Sequence, residues 1–233
     1  MNDECKSFSR KNQHGNAMIY VLIVVALFGA LSFVLARQTD NSESGALSSE
    51  KTEIYASTLL QATMQLKQAV EQMTFTGTQI TDLDFITSDD ASFDVGSPVN
   101  KVFHPHGGGV ILPRIPDEAI NEISADPPAR WYIGRFNNMA WTPSTANDVI
   151  LTAHQIKQDV CARINEKLTG SPTIPELAVH TVKEVLINAS ESTAGGNFEL
   201  NSAECAVCDG KPALCVKDKA VNAWSFYSLI ATE

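Results

Sequence analysis

The longest apolar stretch of the chain lies near its beginning, where residues 16–36 contain no charged side chain. Only Asn16, Tyr20 and Ser32 interrupt its apolar character. A helix of about 20 such residues spans the hydrocarbon core of a bilayer, which is roughly 30 Å thick. A helix buried in a soluble protein normally carries polar residues along one face. The pattern therefore predicts a transmembrane helix over residues 16–37.

A polar stretch separates this run from a second apolar pattern. Residues 38–49 are rich in serine and lack apolar periodicity, which predicts a linker. From Glu50 onward, apolar residues recur at spacings of three and four, namely at Leu59, Ala62, Leu66, Ala69 and Met73. This spacing predicts an amphipathic helix over residues 50–74 whose apolar stripe packs on the domain that follows.

Short apolar runs alternate with turn residues in the rest of the chain. We predict strands over 109–113, 130–137 and 223–230. We also predict a short helix over 117–123 and a second main helix over 147–168. Residues 182–187 are compatible with either a helix or a strand. The predicted fold class is α+β. It combines the transmembrane helix, the amphipathic helix packed on a small β-sheet-containing head, the second helix and a disulfide-closed C-terminal loop. The domains are a basic leader (1–15), the transmembrane helix (16–37), the linker (38–49) and an exported head (50–233).

Charged residues give the expected orientation. Lys6, Arg10 and Lys11 precede the apolar run. Because basic flanks favour the cytoplasmic side, we expect a single-pass protein of the inner membrane with a cytoplasmic N-terminus and a periplasmic or extracellular head. Inner-membrane lipid would then surround the anchor. The chain has a formal net charge of -10, which argues against nucleic acid as a partner.

A cleaved secretory signal is the less favoured interpretation of the apolar run. Its apolar region would span about 7–15 residues and end near a cleavage site with small residues at alternate positions. Residues 16–36 form a longer run. The sequences near Ser32 and Ala36 match such a site poorly.

A different kind of processing fits the leader better. Residues 10–15 are basic and polar and end in Gly15, directly before the apolar run. Over residues 11–37 the chain resembles the N-terminus of the type IV pilin and pseudopilin superfamily. The resemblance implies that a prepilin peptidase cuts between Gly15 and Asn16 on the cytoplasmic side, with methylation of the new N-terminus. It also implies that the helix is retained and packs against other pilin-like subunits in a filament core.

Two positions depart from the family pattern. The family usually has an apolar residue after the cut, and this chain has Asn16. It usually has a glutamate at the fifth mature position, thought to meet the N-terminal amine of a neighbouring subunit, and this chain has Tyr20. Since a neutral phenol cannot form that ion pair, a minor or pseudopilin-like subunit fits better than a major, self-polymerising pilin.

Five cysteines form the second informative pattern. Cys5 lies in the leader, whereas Cys161, Cys205, Cys208 and Cys215 lie in the exported head. In an oxidising compartment an even number of cysteines predicts two disulfides, with three possible connectivities. Because Cys205 and Cys208 are so close in sequence, we expect one of them to pair with Cys161 and the other with Cys215.

Zinc is the competing interpretation of these cysteines. Cys205 and Cys208 have the spacing of a zinc knuckle, and Cys215, Cys161 or a histidine would complete the ligands. A zinc ribbon usually has two such pairs, and this chain has one. A redox-active pair is disfavoured, since Gly210 and Pro212 indicate a loop after it.

The histidines and the motif census do not indicate an enzyme. His104 and His106 are followed by three glycines, which favours a tight turn over a metal site. We expect His154 on the solvated face of the second helix and His180 to be isolated. The chain has no Gly-x-Ser-x-Gly, no His-Glu-x-x-His and no dinucleotide fingerprint. We therefore expect no catalytic residue, no cofactor and no metal, and we attribute the glycosylation sequon at Asn188 to chance.

Two functions remain open from the sequence. One is a structural pilin-like or pseudopilin-like subunit of a cell-envelope filament or secretion apparatus. The other is a membrane-anchored extracytoplasmic binding module with an uncleaved signal anchor. Cleavage after Gly15 favours the first, and retention of the leader favours the second.

Overall fold

The computed structural model describes residues 16–187 and 198–233, except for the side chains of 16–17, 33–47 and Phe136. Two compact units divide the chain, Met1–Ser49 and Glu50–Glu233. The leader with Cys5 and Gly15, and the sequon at Asn188, lie outside the described residues.

Helix α1 runs from Asn16 to Phe75. Its backbone is helical through residues 38–49, so the prediction of a linker there is wrong. The segment has no proline, the residue that interrupts a helix most strongly, and its single glycine costs only about 1 kcal/mol relative to alanine. The predicted transmembrane helix over 16–37 is also wrong. A span needs about 20 apolar residues, and the described part of the chain has no helix of sufficient length and apolar character to cross a membrane.

The amphipathic helix predicted over residues 50–74 is confirmed as the part of α1 in the second unit. Leu59, Leu66 and Met73 are buried, as the spacing requires. Their neighbours Met64 and Lys67 face solvent. This part of α1 packs across one face of the sheet and contributes to two of the three apolar clusters of the head.

The head is an α+β domain built on a four-stranded antiparallel sheet in the order β1-β2-β4-β3. The strands are β1 (Trp131–Asn137), β2 (Asp148–Ile156), β3 (Ala213–Lys217) and β4 (Trp224–Ala231). The helices of the head besides α1 are α2 (Gln158–Thr169) and α3 (Val182–Leu186). Helices α1 and α2 cover one face of the sheet. Helix α3 and the segments around Leu177 and Leu200 cover the other.

The second main helix predicted over residues 147–168 is wrong in its first half. Residues 148–156 form the central strand β2, and helix α2 begins only at Gln158. Every residue of β2 is buried, because both faces of the sheet are covered. A strand buried on both faces shows no alternation of apolar and polar residues, so its apolar positions also matched a helical stripe.

The remaining elements differ from the sequence predictions in detail. The described structure has no strand over 109–113, where Gly109 N bonds to His104 O and Val110 N bonds to Val102 O. The predicted helix over 117–123 is a single 3-10 turn, Asp117–Ala119. The ambiguous segment at 182–187 forms α3, whose first turn is fixed by a capping box between Thr181 and Glu184. Strand β3 begins inside the segment predicted as a disulfide-closed loop, residues 205–215, and extends beyond it to Lys217.

Candidate functional site

The most exposed apolar surface of the described chain is the part of α1 at residues 18–32, here called the apolar segment. All its large apolar side chains are at least half exposed, from Ile23 at 50% to Met18 at 80%. Consecutive residues of a helix point in directions about 100° apart, so the segment is apolar on all sides. A helix of this kind is stable only when an apolar partner covers it.

Small residues give the apolar segment a shape that suits close packing. Ala26 and Ala30 are four residues apart and lie on one face of the helix. A methyl group added at Gly29 would meet no atom within 4 Å. Small side chains at such spacing let two helix backbones approach each other. Tyr20 and Ser32 are the polar interruptions of the segment, and the 64% exposure of Tyr20 leaves its phenol available to a partner.

The processing residues lie at the boundary of the described chain. Gly15 lies outside it, and Asn16 is the first residue of α1. The structure therefore supplies no geometry for the cleavage site, which remains a prediction from the leader sequence.

The four cysteines of the head form two disulfides, but the expected pairing is wrong. Cys161 pairs with Cys215, and Cys205 pairs with Cys208. Helix α2 packs beside strand β3, which brings the Cα atoms of Cys161 and Cys215 within 5.4 Å. The 3-10 turn Ala206–Cys208 brings the Cα atoms of Cys205 and Cys208 within 5.2 Å. The turn thus makes the short pairing possible.

With these pairings, none of the four sulfur atoms is a free thiolate ligand. Within the described ranges, no group of three or more histidine, cysteine, aspartate or glutamate side chains is placed to hold a metal ion. Both Cys205 and Cys208 are buried, at 4% and 0% exposure, so the pair is also shielded from thiol exchange.

The histidine–glycine motif forms a turn packed against the backbone. Gly107 N bonds to His104 O, and Gly108 N bonds to Lys101 O. A methyl group on Gly107 would lie 2.1 Å from the carbonyl oxygen of Lys101, and one on Gly108 would lie 2.5 Å from that of Val102. The glycines are therefore required by close backbone packing.

His154 lies in strand β2, so the prediction of a solvated helical position is wrong. Its side chain is buried, and its Nδ1 lies 2.8 Å from Ser225 Oγ. The ring of Tyr132 meets it edge-on. Burial lowers the pKa of His154 to about 4, because the charged imidazolium loses its hydration, although the nearby charge of Asp218 opposes the shift.

His180 is not isolated, contrary to expectation. Its Nδ1 lies 2.9 Å from Oε2 of the buried Glu204, and its ring stacks on Phe198 at 3.7 Å between centroids. Oε1 of Glu204 accepts hydrogen bonds from the backbone N–H groups of Val179 and His180. Glu204 therefore fixes the entry to α3. Sequence reasoning had no signal for this contact, because the partners lie 24 residues apart.

No sequence signal marked the buried charged side chains of Lys101, Asp148 and Asp218 either. Lys101 donates its Nζ hydrogens to the carbonyl oxygens of Ser92, Phe93 and Val95, and so organises the preceding loop. Asp148 accepts hydrogen bonds at Oδ2 from Met139 N, and burial raises the pKa of its carboxyl group. The hydrogen bonds of Lys101 and Asp148 stabilise the fold.

Comparison of the chain with protein-family models, with curated proteins and with solved structures finds no match.

Proposed function

We propose that the protein is a structural pilin-like or pseudopilin-like subunit of a cell-envelope filament or secretion apparatus. The observation that carries the proposal is the apolar segment at residues 18–32, exposed on all sides. Helices of neighbouring pilin-like subunits are the proposed partners, because parallel apolar helices would remove this surface from water without leaving polar groups unpaired.

The head supports a structural role outside the cytoplasm. The second unit contains an amphipathic part of α1 that packs on an antiparallel sheet, and two disulfides cross-link this unit. Disulfides persist in oxidising compartments and are rare in the cytosol. An exported, covalently cross-linked head suits a subunit that remains assembled at the cell envelope.

The leader supports an assembly pathway that begins with a prepilin peptidase. Its resemblance to pilin leaders ends at Gly15, and helix α1 begins at the next residue, Asn16. With Tyr20 in place of the usual glutamate, the subunit lacks the carboxylate of the family's ion pair. We therefore propose a minor or pseudopilin-like role beside other subunits.

We expect the mature protein to begin at Asn16. N-terminal and intact-mass analysis of protein extracted from cells with a working prepilin peptidase measures this directly. Gly15→Leu is expected to retain the leader, because the enzyme would no longer meet glycine at the cut. Gln13→Ala is the matched control and should still be cut. A native protein that begins at Met1 in those cells would contradict the proposal and favour a binding module with an uncleaved anchor.

We also expect assembly to depend on the apolar segment. Val24→Lys should lower the yield of cross-linked subunit complexes in cells at least tenfold, since a lysine inserted between packed apolar helices has no partner charge. Val95→Lys is the control, because Val95 is similarly exposed but lies in the head. Normal complex formation by Val24→Lys would remove the main support for the proposal.

A further inference from the structure

A groove crosses the head at Trp224, and we call it the Trp224 groove. It consists of two adjoining depressions of about 420 and 600 Å³ that share Gln158, Ala162 and Trp224 as lining residues. The first is completed by Pro172, Ile174, Lys217 and Asn222, and the second by Asn121, Lys157 and Asp159. Both volumes lie within the range of small-molecule sites, roughly 300–1,000 Å³.

The walls of the groove are held by covalent and backbone bonds. Trp224 is paired with Lys217 of β3 and with Ile156 of β2. The Cys161–Cys215 disulfide joins α2, which supplies Gln158 and Ala162, to β3. Trp224 and the helical wall are therefore fixed relative to each other before any ligand binds, which lowers the entropic cost of binding.

The polar lining residues of the groove are three neutral amides and three charged side chains of mixed sign. Asn121, Gln158 and Asn222 are exposed, and their side-chain amides have no hydrogen-bond partner within the part of the chain that the structure describes. Each amide offers both a donor and an acceptor. The charges at the rim include both signs, and Lys217 is paired with Glu176 at 2.8 Å. The groove thus lacks the strong positive charge that a phosphate-rich ligand requires.

An extended peptide would bind such a groove by pairing with the edge of strand β3, but that edge is already occupied. Asn165 bonds through its side chain to both the N–H and the carbonyl of Cys215. Lys217 N bonds to Pro175 O, and Leu177 N bonds to Lys217 O. With these backbone groups satisfied, the groove offers side chains and an aromatic face, which are the wrong groups for strand addition.

We propose that the Trp224 groove binds a neutral oligosaccharide. The apolar C–H face of a sugar ring packs on the indole, and the hydroxyl groups exchange hydrogen bonds with the amides of Asn121, Gln158 and Asn222. The two depressions, which share Trp224, together have the volume for at least two sugar units. Binding is non-covalent and does not depend on whether the chain assembles into a filament.

The test uses the full chain, purified in a polyoxyethylene detergent so that no sugar headgroup competes for the groove. An array of neutral glycans identifies a binder, which is then titrated by calorimetry. Gln158→Ala and Asn222→Ala should each weaken binding about fivefold through the loss of a hydrogen bond, and Trp224→Ala at least tenfold through the loss of the stacking face. Asn138→Ala, outside the groove, is the control and should bind as the wild type does.

Exposed Gln158 and Asn222 keep the test valid if Trp224→Ala fails to fold. If no neutral glycan binds, or if binding is unchanged in Gln158→Ala and Asn222→Ala, the proposal is overturned. It is also overturned if an extended peptide, and no glycan, binds with dependence on these two residues. Weaker glycan binding in both amide variants, with an unchanged thermal unfolding midpoint, supports it.

Discussion

Replacing both Cys161 and Cys215 by alanine is expected to destabilise the head by about 4 kcal/mol. The disulfide joins residues 54 positions apart, and in the chain-entropy model a loop of that size restricts the unfolded chain to about this extent. Both cysteines are completely buried between α2 and the sheet, so their loss also removes packing. Urea unfolding of the full chain in detergent, followed by near-ultraviolet circular dichroism, measures the change.

The second disulfide provides the matched control. Cys205 and Cys208 are separated by 3 positions, and the same model gives about 2 kcal/mol for so small a loop. The double alanine variant at these positions should therefore be clearly more stable than the Cys161–Cys215 variant. An equal or reversed order would show that the pairing in solution differs from that in the structure.

The head is expected to lose roughly 2 kcal/mol of stability between pH 7 and pH 4.5 because of His154 alone. Its pKa is about 4 in the folded state, lowered by burial, and about 6.5 in the unfolded chain. Between these values the unfolded state binds the proton and the folded state does not. The contribution of neutral, buried His154 to the stability of the head is therefore complete above pH 6.5, and it is lost progressively as the pH drops toward 4.

His154→Gln should remove this part of the pH dependence. The quantity to compare is the difference in unfolding free energy between pH 7 and pH 4.5 for each protein, so that a uniform loss of stability in the variant cancels. His106→Gln, at an exposed position, is the control and should retain the wild-type dependence. Asp148 acts in the opposite direction, since its raised pKa favours the folded state at low pH. An unchanged pH dependence in His154→Gln would show that His154 is hydrated or partnered in solution.

The two expectations about residues 16–49 were wrong. The sequence pattern predicted a membrane span over 16–37 and a linker over 38–49. In the structure both stretches belong to one helix, α1, and the described residues contain no helix that could cross a membrane. Polarity alone predicted a loop over 38–49, because the rule of apolar periodicity recognises only helices that pack on a core. The serine, asparagine, aspartate and glycine residues of this segment are weak helix formers, so backbone propensity did not predict the helix either.

The candidate interaction surface was visible in the sequence, and the groove was not. A long apolar run without charged residues is a local property, so the apolar segment at residues 18–32 could be marked without any structure. The Trp224 groove joins residues from Asn121 to Trp224 that share no motif or spacing. Only the packing of α2 beside β3 and β4 places them together.

The sequence by itself determined those elements whose signal is local. The part of α1 after Glu50 follows a spacing of three and four, and β1 and β4 follow from aromatic and β-branched residues, so each is encoded by its own neighbours. The tertiary structure alone decided that 148–156 is a strand. Other segments cover both faces of the sheet, so the strand is buried on both sides and its sequence does not alternate between apolar and polar residues. The tertiary structure also decided the disulfide pairing, since Cys161 and Cys215 meet only after α2 packs on β3. Contacts between distant segments depend on the whole fold, and no local pattern of residues specifies them.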